Sequence, residues 1–97
     1  MASKVTFELK EQTAFITGAT SGFGARFAEV LSDAGAHVVI TGRRVERLHA
    51  LRDKIAAKGG HATALALDVT DVAGIRASIS AAEKAAGPIS ILVNNAG

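Results

Sequence analysis

The sequence predicts an α/β fold, a parallel sheet with helices on both faces, and three observations predict it. Four short runs, at residues 13–17, 37–41, 62–67 and 89–94, are apolar almost throughout, as strands buried on both sides should be. The three segments between them carry apolar residues at helical spacing. Strict alternation of the two gives βαβαβαβ, and right-handed crossovers with one reversal after the third strand give the order 3-2-1-4.

Residues 1–12 read as a polar lead-in, and residues 13–97 as part of one domain. The first helix carries Phe23, Phe27, Val30, Leu31 and Ala34 on one face at a 3.6-residue period, with Gly35 as its stop. The second carries Val45, Leu48, Leu51 and Ile55, with basic side chains opposite and Gly59-Gly60 at its end. The third carries Val72, Ile75, Ile79 and Ala82. Thr70 or Asp71 can cap its start, and Gly87-Pro88 ends it. Gly74 weakens this helix by about 1 kcal/mol relative to alanine.

Composition narrows the chemistry. With 97 residues, 48% of them hydrophobic and 21% charged, the chain supports one small domain and is not disordered. It has no cysteine, so disulfides and cysteine-based zinc sites are excluded. His37, His49 and His61 do not form a ligand spacing, and no metal site is expected. No apolar run reaches the roughly 18 residues of a membrane span, and the start lacks the core of a secretory signal, so the expected location is cytoplasmic. The net charge is only +2, but residues 43–58 gather six basic side chains against Glu46 and Asp53. A local basic patch fits one anionic ligand and not a nucleic-acid surface. Within it, Arg47, Arg52, Lys54 and Lys58 read as a solvated helix face.

The turn after the first strand is Thr17-Gly18-Ala19-Thr20-Ser21-Gly22-Phe23-Gly24. Glycines there let the chain turn off the strand, approach a diphosphate without a Cβ, and pack the next helix close to the sheet. That helix aims free N–H groups and its positive end at the phosphate, and Thr20 and Ser21 add hydroxyl donors. The position makes the domain Rossmann-type, and the absence of a following Gly-Lys-Ser/Thr excludes a P-loop. The spacing T-G-x-x-x-G-x-G resembles the glycine motif of the short-chain dehydrogenase/reductase family, with Thr17, Gly18, Gly22 and Gly24 in register and Phe23 inside it.

Three further matches accompany the motif. The second strand ends without a carboxylate, and Arg43-Arg44 follow Gly42. An arginine fork there suits the 2′-phosphate of NADP, so NADP is expected over NAD. By the resemblance, Asp68 binds the adenine amino group and the Val69 N–H its ring; Asp68 can also help to start the third helix. Asn94-Asn95-Ala96-Gly97 matches the family's N-N-A-G signature, where the asparagines tie the loop and Ala-Gly leaves room for the adenosine ribose.

The resemblance covers roughly residues 9–97 and implies hydride transfer between the nicotinamide cofactor and a carbonyl or alcohol substrate. The family's catalytic serine, tyrosine and lysine lie later in its chain, and this sequence contains no tyrosine. No catalytic residue is assigned, and the expectation is the N-terminal half of a reductase, truncated before the catalytic half and inactive alone. Two other readings stand beside it: an assembly module that forms a homo-oligomer through residues 89–94 and helix 71–86, and an adenosyl-cofactor binder such as a methyltransferase fragment. Gly42-Arg43 disfavour the second, because such sites want an acidic residue after strand two.

Overall fold

In the computed structural model, which describes residues 9–68 and 70–95, strands and helices alternate throughout. The elements are β1 (Thr13–Thr17), α1 (Gly22–Asp33), β2 (His37–Gly42), α2 (Val45–Ala57), β3 (His61–Ala66), α3 (Val72–Ala86) and β4 (Ile91–Asn94). The sheet runs β3-β2-β1-β4 with every pair parallel, the architecture that alternation and the crossover rule require.

β4 begins two residues later than its apolar run, at Ile91. The preceding turn is held by Ser90 instead: its N–H donates to the Thr13 carbonyl at 2.9 Å, and the Thr13 N–H donates to Ser90 Oγ at 3.1 Å. Residues 9–12, the end of the expected lead-in, are tied into the fold. The Leu9 N–H donates to the Ala34 carbonyl at 2.8 Å, and its side chain packs on the core.

All five residues of β1 are buried. Its side chains alternate between two cores. Ala14 and Ile16 join Val38 and Ile40 beneath α1 and α2, while Phe15 joins Val39 beneath α3. α2 contributes Leu48, Leu51 and Ile55, as its periodicity predicts, each worth about 1.5–3 kcal/mol when fully buried, whereas Val45, expected on the same face, is exposed in the first turn. Asp71 caps α3, accepting from the Gly74 N–H at 3.1 Å. A Cβ on Gly74 would lie 2.9 Å from Asp71 Oδ2, so the helix-weakening glycine leaves room for the cap.

α1 corrects the sequence expectation. Its buried residues are Gly24, Ala28 and Ser32, whereas Phe23, Phe27 and Val30 are exposed. The small residues recur every four positions and bring the helix axis close to the sheet, which larger side chains would prevent. Glu29 marks the flank that faces α2, because it accepts from Lys54 and Lys58 at 3.2 and 3.3 Å. Phe23, Phe27 and Val30 therefore stand on the flank turned away from α2. Val72 at the start of α3 and Leu92 on β4 are also exposed, each at 67%.

Candidate functional site

A cleft of about 510 Å³ opens at the carboxyl ends of β1, β2 and β3, where an open parallel sheet with this strand order presents ligands. Its first wall is the glycine turn, through Gly18, Thr20 and Ser21. Gly18 takes φ +63°, a left-handed conformation that glycine adopts without steric cost. Its carbonyl accepts from the Ser21 N–H at 3.2 Å and from Ser21 Oγ at 2.9 Å. Ser21 also caps α1, accepting from the Gly24 N–H at 3.2 Å. A Cβ on Gly24 would run into the Gly18 carbonyl oxygen and come within 2.9 Å of the Ala19 Cα. The turn can lie this close to the helix only because residue 24 has no side chain.

The second wall is the end of β2 and the start of α2. Thr41 is fully buried, and its hydroxyl donates to the Ile16 carbonyl at 2.8 Å. The Thr41 carbonyl accepts from the Ala19 N–H at 2.9 Å, which locks β2 to the glycine turn. Gly42 follows, with space beside Thr20 so narrow that a Cβ would sit 3.3 Å from Thr20 Cγ2. Arg43, Arg44 and Arg47 complete this wall. Arg44 occupies the N-cap of α2 and makes no side-chain cap hydrogen bond. A cation there is opposed by the helix dipole, which favours anions at this end.

The third wall is Leu67, Asp68 and Thr70. The Leu67 N–H donates to the Gly42 carbonyl at 2.9 Å and fixes the strand ends to each other. Asp68 Oδ1 accepts from the Thr70 N–H at 3.0 Å and the Thr70 hydroxyl at 2.7 Å. These bonds first, and the positive charge of Arg43 after them, hold the exposed Asp68 carboxyl below its ordinary range. Asp68 is thus an ionised acceptor facing the arginines across the cleft.

The structure places the other sequence-derived residues around this cleft rather than in its walls. Asn95 is a clasp: its N–H donates to Thr17 Oγ1 at 3.0 Å, and its amide donates to Ser21 Oγ at 2.7 Å and to the Gly18 carbonyl at 3.3 Å. Asn94 Oδ1 accepts from the Thr17 hydroxyl at 3.0 Å. Gly22 and Phe23 are exposed on the first turn of α1, and Gly24 is buried beneath the turn. Val69, Ala96 and Gly97 lie outside the described residues.

Two features escaped the sequence reading. Arg47 lines the cleft instead of merely solvating a helix; its signal is the spacing of three from Arg44, which puts both on one flank. His37 and His61 are register partners on β2 and β3, with ring centroids 6.1 Å apart, and a His37–Thr63 hydrogen bond of 2.8 Å beside them. They line a second cavity of about 360 Å³ at the opposite end of the sheet. Burial, and then the neighbouring His61, lower the His37 pKa. Among the described residues no cluster of three or more His, Asp or Glu could hold a metal, and no helix is long and apolar enough to cross a membrane.

Comparison with known proteins adds a family. The family model described as short chain dehydrogenase matches residues 12–97. A short chain dehydrogenase of Pseudocercospora fijiensis is 40% identical over 90 residues, covering 93% of this chain and 29% of that protein. A metagenomic short-chain oxidoreductase solved with NADP is 42% identical, covers 93% of this chain and 41% of its own, and superimposes with a TM-score of 0.88. An actinorhodin polyketide ketoreductase solved with NADPH is 36% identical, with 89% and 33% coverage and a TM-score of 0.85. This chain therefore spans 29% to 41% of the length of these three proteins.

Proposed function

The chain belongs to the short chain dehydrogenase family, and we propose that residues 13–97 are the NADP(H)-binding part of an oxidoreductase acting on a carbonyl or alcohol. The observation that carries this reading is the composition of the cleft. A glycine turn that lies against α1 only because residue 24 has no side chain forms one wall, three arginines form the next, and a glycine stands where a ribose-binding carboxylate would select NAD. The NADP and NADPH complexes of the two solved relatives support it.

The residues fit such a cofactor. The Gly18–Ser21 turn and the first N–H groups of α1 would hold the diphosphate. Arg43 and Arg44 would hold the 2′-phosphate as charge-assisted forks. Asp68, kept ionised by Thr70, would accept from the adenine amino group, and the Val69 N–H would meet the ring. Asn94 and Asn95 would keep the turn in its binding shape, with Ala96 and Gly97 beside the ribose and Phe23 exposed between the last two glycines of the motif. When bound, the cofactor supplies or accepts the hydride. The residues of this chain bind and orient it; no tyrosine is present to give a proton to a carbonyl oxygen.

The test is a nuclear magnetic resonance titration of the chain with 2′,5′-ADP and 5′-AMP, which differ only in the 2′-phosphate. Preference for 2′,5′-ADP is expected, and Arg43→Asp should reverse it by replacing attraction with repulsion. Equal affinity for the two nucleotides would defeat the reading. The chain alone should give no turnover with NADPH and any ketone.

A second reading, association of copies, rests on one observation. Among the described residues β4 pairs only with β1, and Leu92 on that strand is 67% exposed. A free apolar edge invites strand pairing. Ile91 and Val93 pack against the core beneath α1 and α2, so Leu92→Lys is the variant that should weaken a dimer formed through β4 and α3. A monomer by light scattering at high micromolar concentration would contradict association.

A further inference from the structure

Resting on the reading of the cleft as a site for 2′-phosphorylated adenosine, we propose that Arg47 is a specificity-determining residue, a further leg of the clamp on the 2′-phosphate that Arg43 and Arg44 begin. Neither the glycine motif nor the dipeptide after β2 contains it. Three observations converge on it.

The first is placement. Arg47 lies one turn into α2 yet lines the same cleft as Arg43 and Arg44. Arg47 thus lines the cleft from the helix side while Arg43 lines it from the strand end.

The second is the charge pattern along α2. Its distal cations are matched by acids: Arg52 by Asp53 at 3.2 Å, Lys54 by Glu29 at 3.2 Å and Lys58 by Glu29 at 3.3 Å. Its proximal cations are not. Arg43, Arg44 and Arg47 form no ion pair with any described residue. Three arginines at one cleft set three positive charges against the single carboxylate of Asp68, and a further anion relieves the repulsion that is left. A phosphate monoester, carrying close to two negative charges at neutral pH, balances two arginines.

The third is the neighbour of Arg43. The Asp68 carboxylate across the cleft feels the charge of Arg43, so that cation is shared between the carboxylate and any phosphate, and a second cation on the helix side completes the hold on the phosphate.

The experiment is the same titration with 2′,5′-ADP and 5′-AMP, applied to the full chain and to Arg47→Ala and Arg47→Lys, with thermal melting to verify that each variant folds. Arg47→Ala should weaken 2′,5′-ADP about tenfold and leave 5′-AMP within about twofold, because one charge-assisted fork is lost. Arg47→Lys should recover part of that loss, keeping the charge without the fork. If the unaltered chain prefers 2′,5′-ADP and Arg47→Ala keeps the full preference, the Arg47 assignment is overturned while the reading of the cleft stands. If the unaltered chain shows no preference, both fall together. An equal loss on both nucleotides would also overturn the assignment, since it would place Arg47 away from the 2′-phosphate.

Discussion

α1 and α2 lie on the same sheet face and both begin at the cleft, yet they are held there by opposite means. α2 is amphipathic in the ordinary sense, with Leu48, Leu51 and Ile55 inward and its charges outward. α1 turns Gly24, Ala28 and Ser32 inward and leaves Phe23, Phe27 and Val30 in the open. α2 is attached by apolar bulk, α1 by close approach. The difference follows from what each helix starts with. α1 must begin directly beneath the turn that forms the first wall, so a side chain at residue 24 would push that wall away. α2 starts beyond the strand end, presents arginines to the cleft, and has room for leucines.

The comparison breaks most sharply at Gly24. Gly24→Val drives side-chain atoms into the Gly18 carbonyl and the Ala19 backbone, and neither can rotate aside. The expected cost is about 3 kcal/mol, together with loss of nucleotide binding, because the turn and the helix N-terminus separate. Chemical denaturation and the 2′,5′-ADP titration read the two effects. A Gly24→Val chain that melts and binds like the original would show that close approach is not what holds α1.

The next test sets large side chains of the two helices against each other. Leu48 is 1% exposed and Phe27 is 45% exposed. Leu48→Ala should cost about 3 kcal/mol, combining lost transfer energy with a cavity. Phe27→Ala removes the larger side chain but should cost less than about 1 kcal/mol. Urea midpoints compare them directly, and a larger loss at Phe27 would reverse the burial described for α1.

The same contrast marks how far the sequence could be read. Strand order, the glycine turn, the arginines after β2 and Asp68 after β3 were all legible, because alternation and the crossover rule bring those segments to one end of the sheet. Periodicity misled at α1, since it counts apolar side chains and is blind to a helix that packs through glycine, alanine and serine. Arg47 was hidden for a related reason. A cation on a helix looks the same in sequence whether it faces solvent or a cleft, and only the unmatched charge around it tells them apart. The Asn95 clasp was visible as a signature, but its targets, Ser21 and Gly18, lie more than seventy positions away. His37 and His61 read as scattered until the β2–β3 register paired them.

The smallest expected effect belongs to the one ionic link between the two helices. Glu29 on α1 accepts from Lys54 on α2 and from Lys58 at its C-cap, with both lysines largely in solvent. The Lys54 hydrogen bond, opposed in part by burial and reinforced by Lys58, lowers the Glu29 pKa from its ordinary 4.5. A carboxylate whose folded pKa is depressed contributes stability above its unfolded pKa and loses it as pH falls through the folded value. Screening by solvent keeps that contribution under about 1 kcal/mol. His37 acts in a different window. Its folded pKa is lowered from 6.5, so the unfolded chain binds the proton more readily, and stability declines as pH falls below that value. Melting temperatures between pH 7.5 and 3 should therefore drop in two stages. Glu29→Gln should reduce only the stage below pH 4.5, to which Asp68 with its lowered pKa also contributes, and His37→Asn should flatten only the stage beginning near pH 6.5. If Glu29→Gln left the acid stage unchanged, the ion pairs would add nothing to the attachment of α1, and close approach alone would account for it.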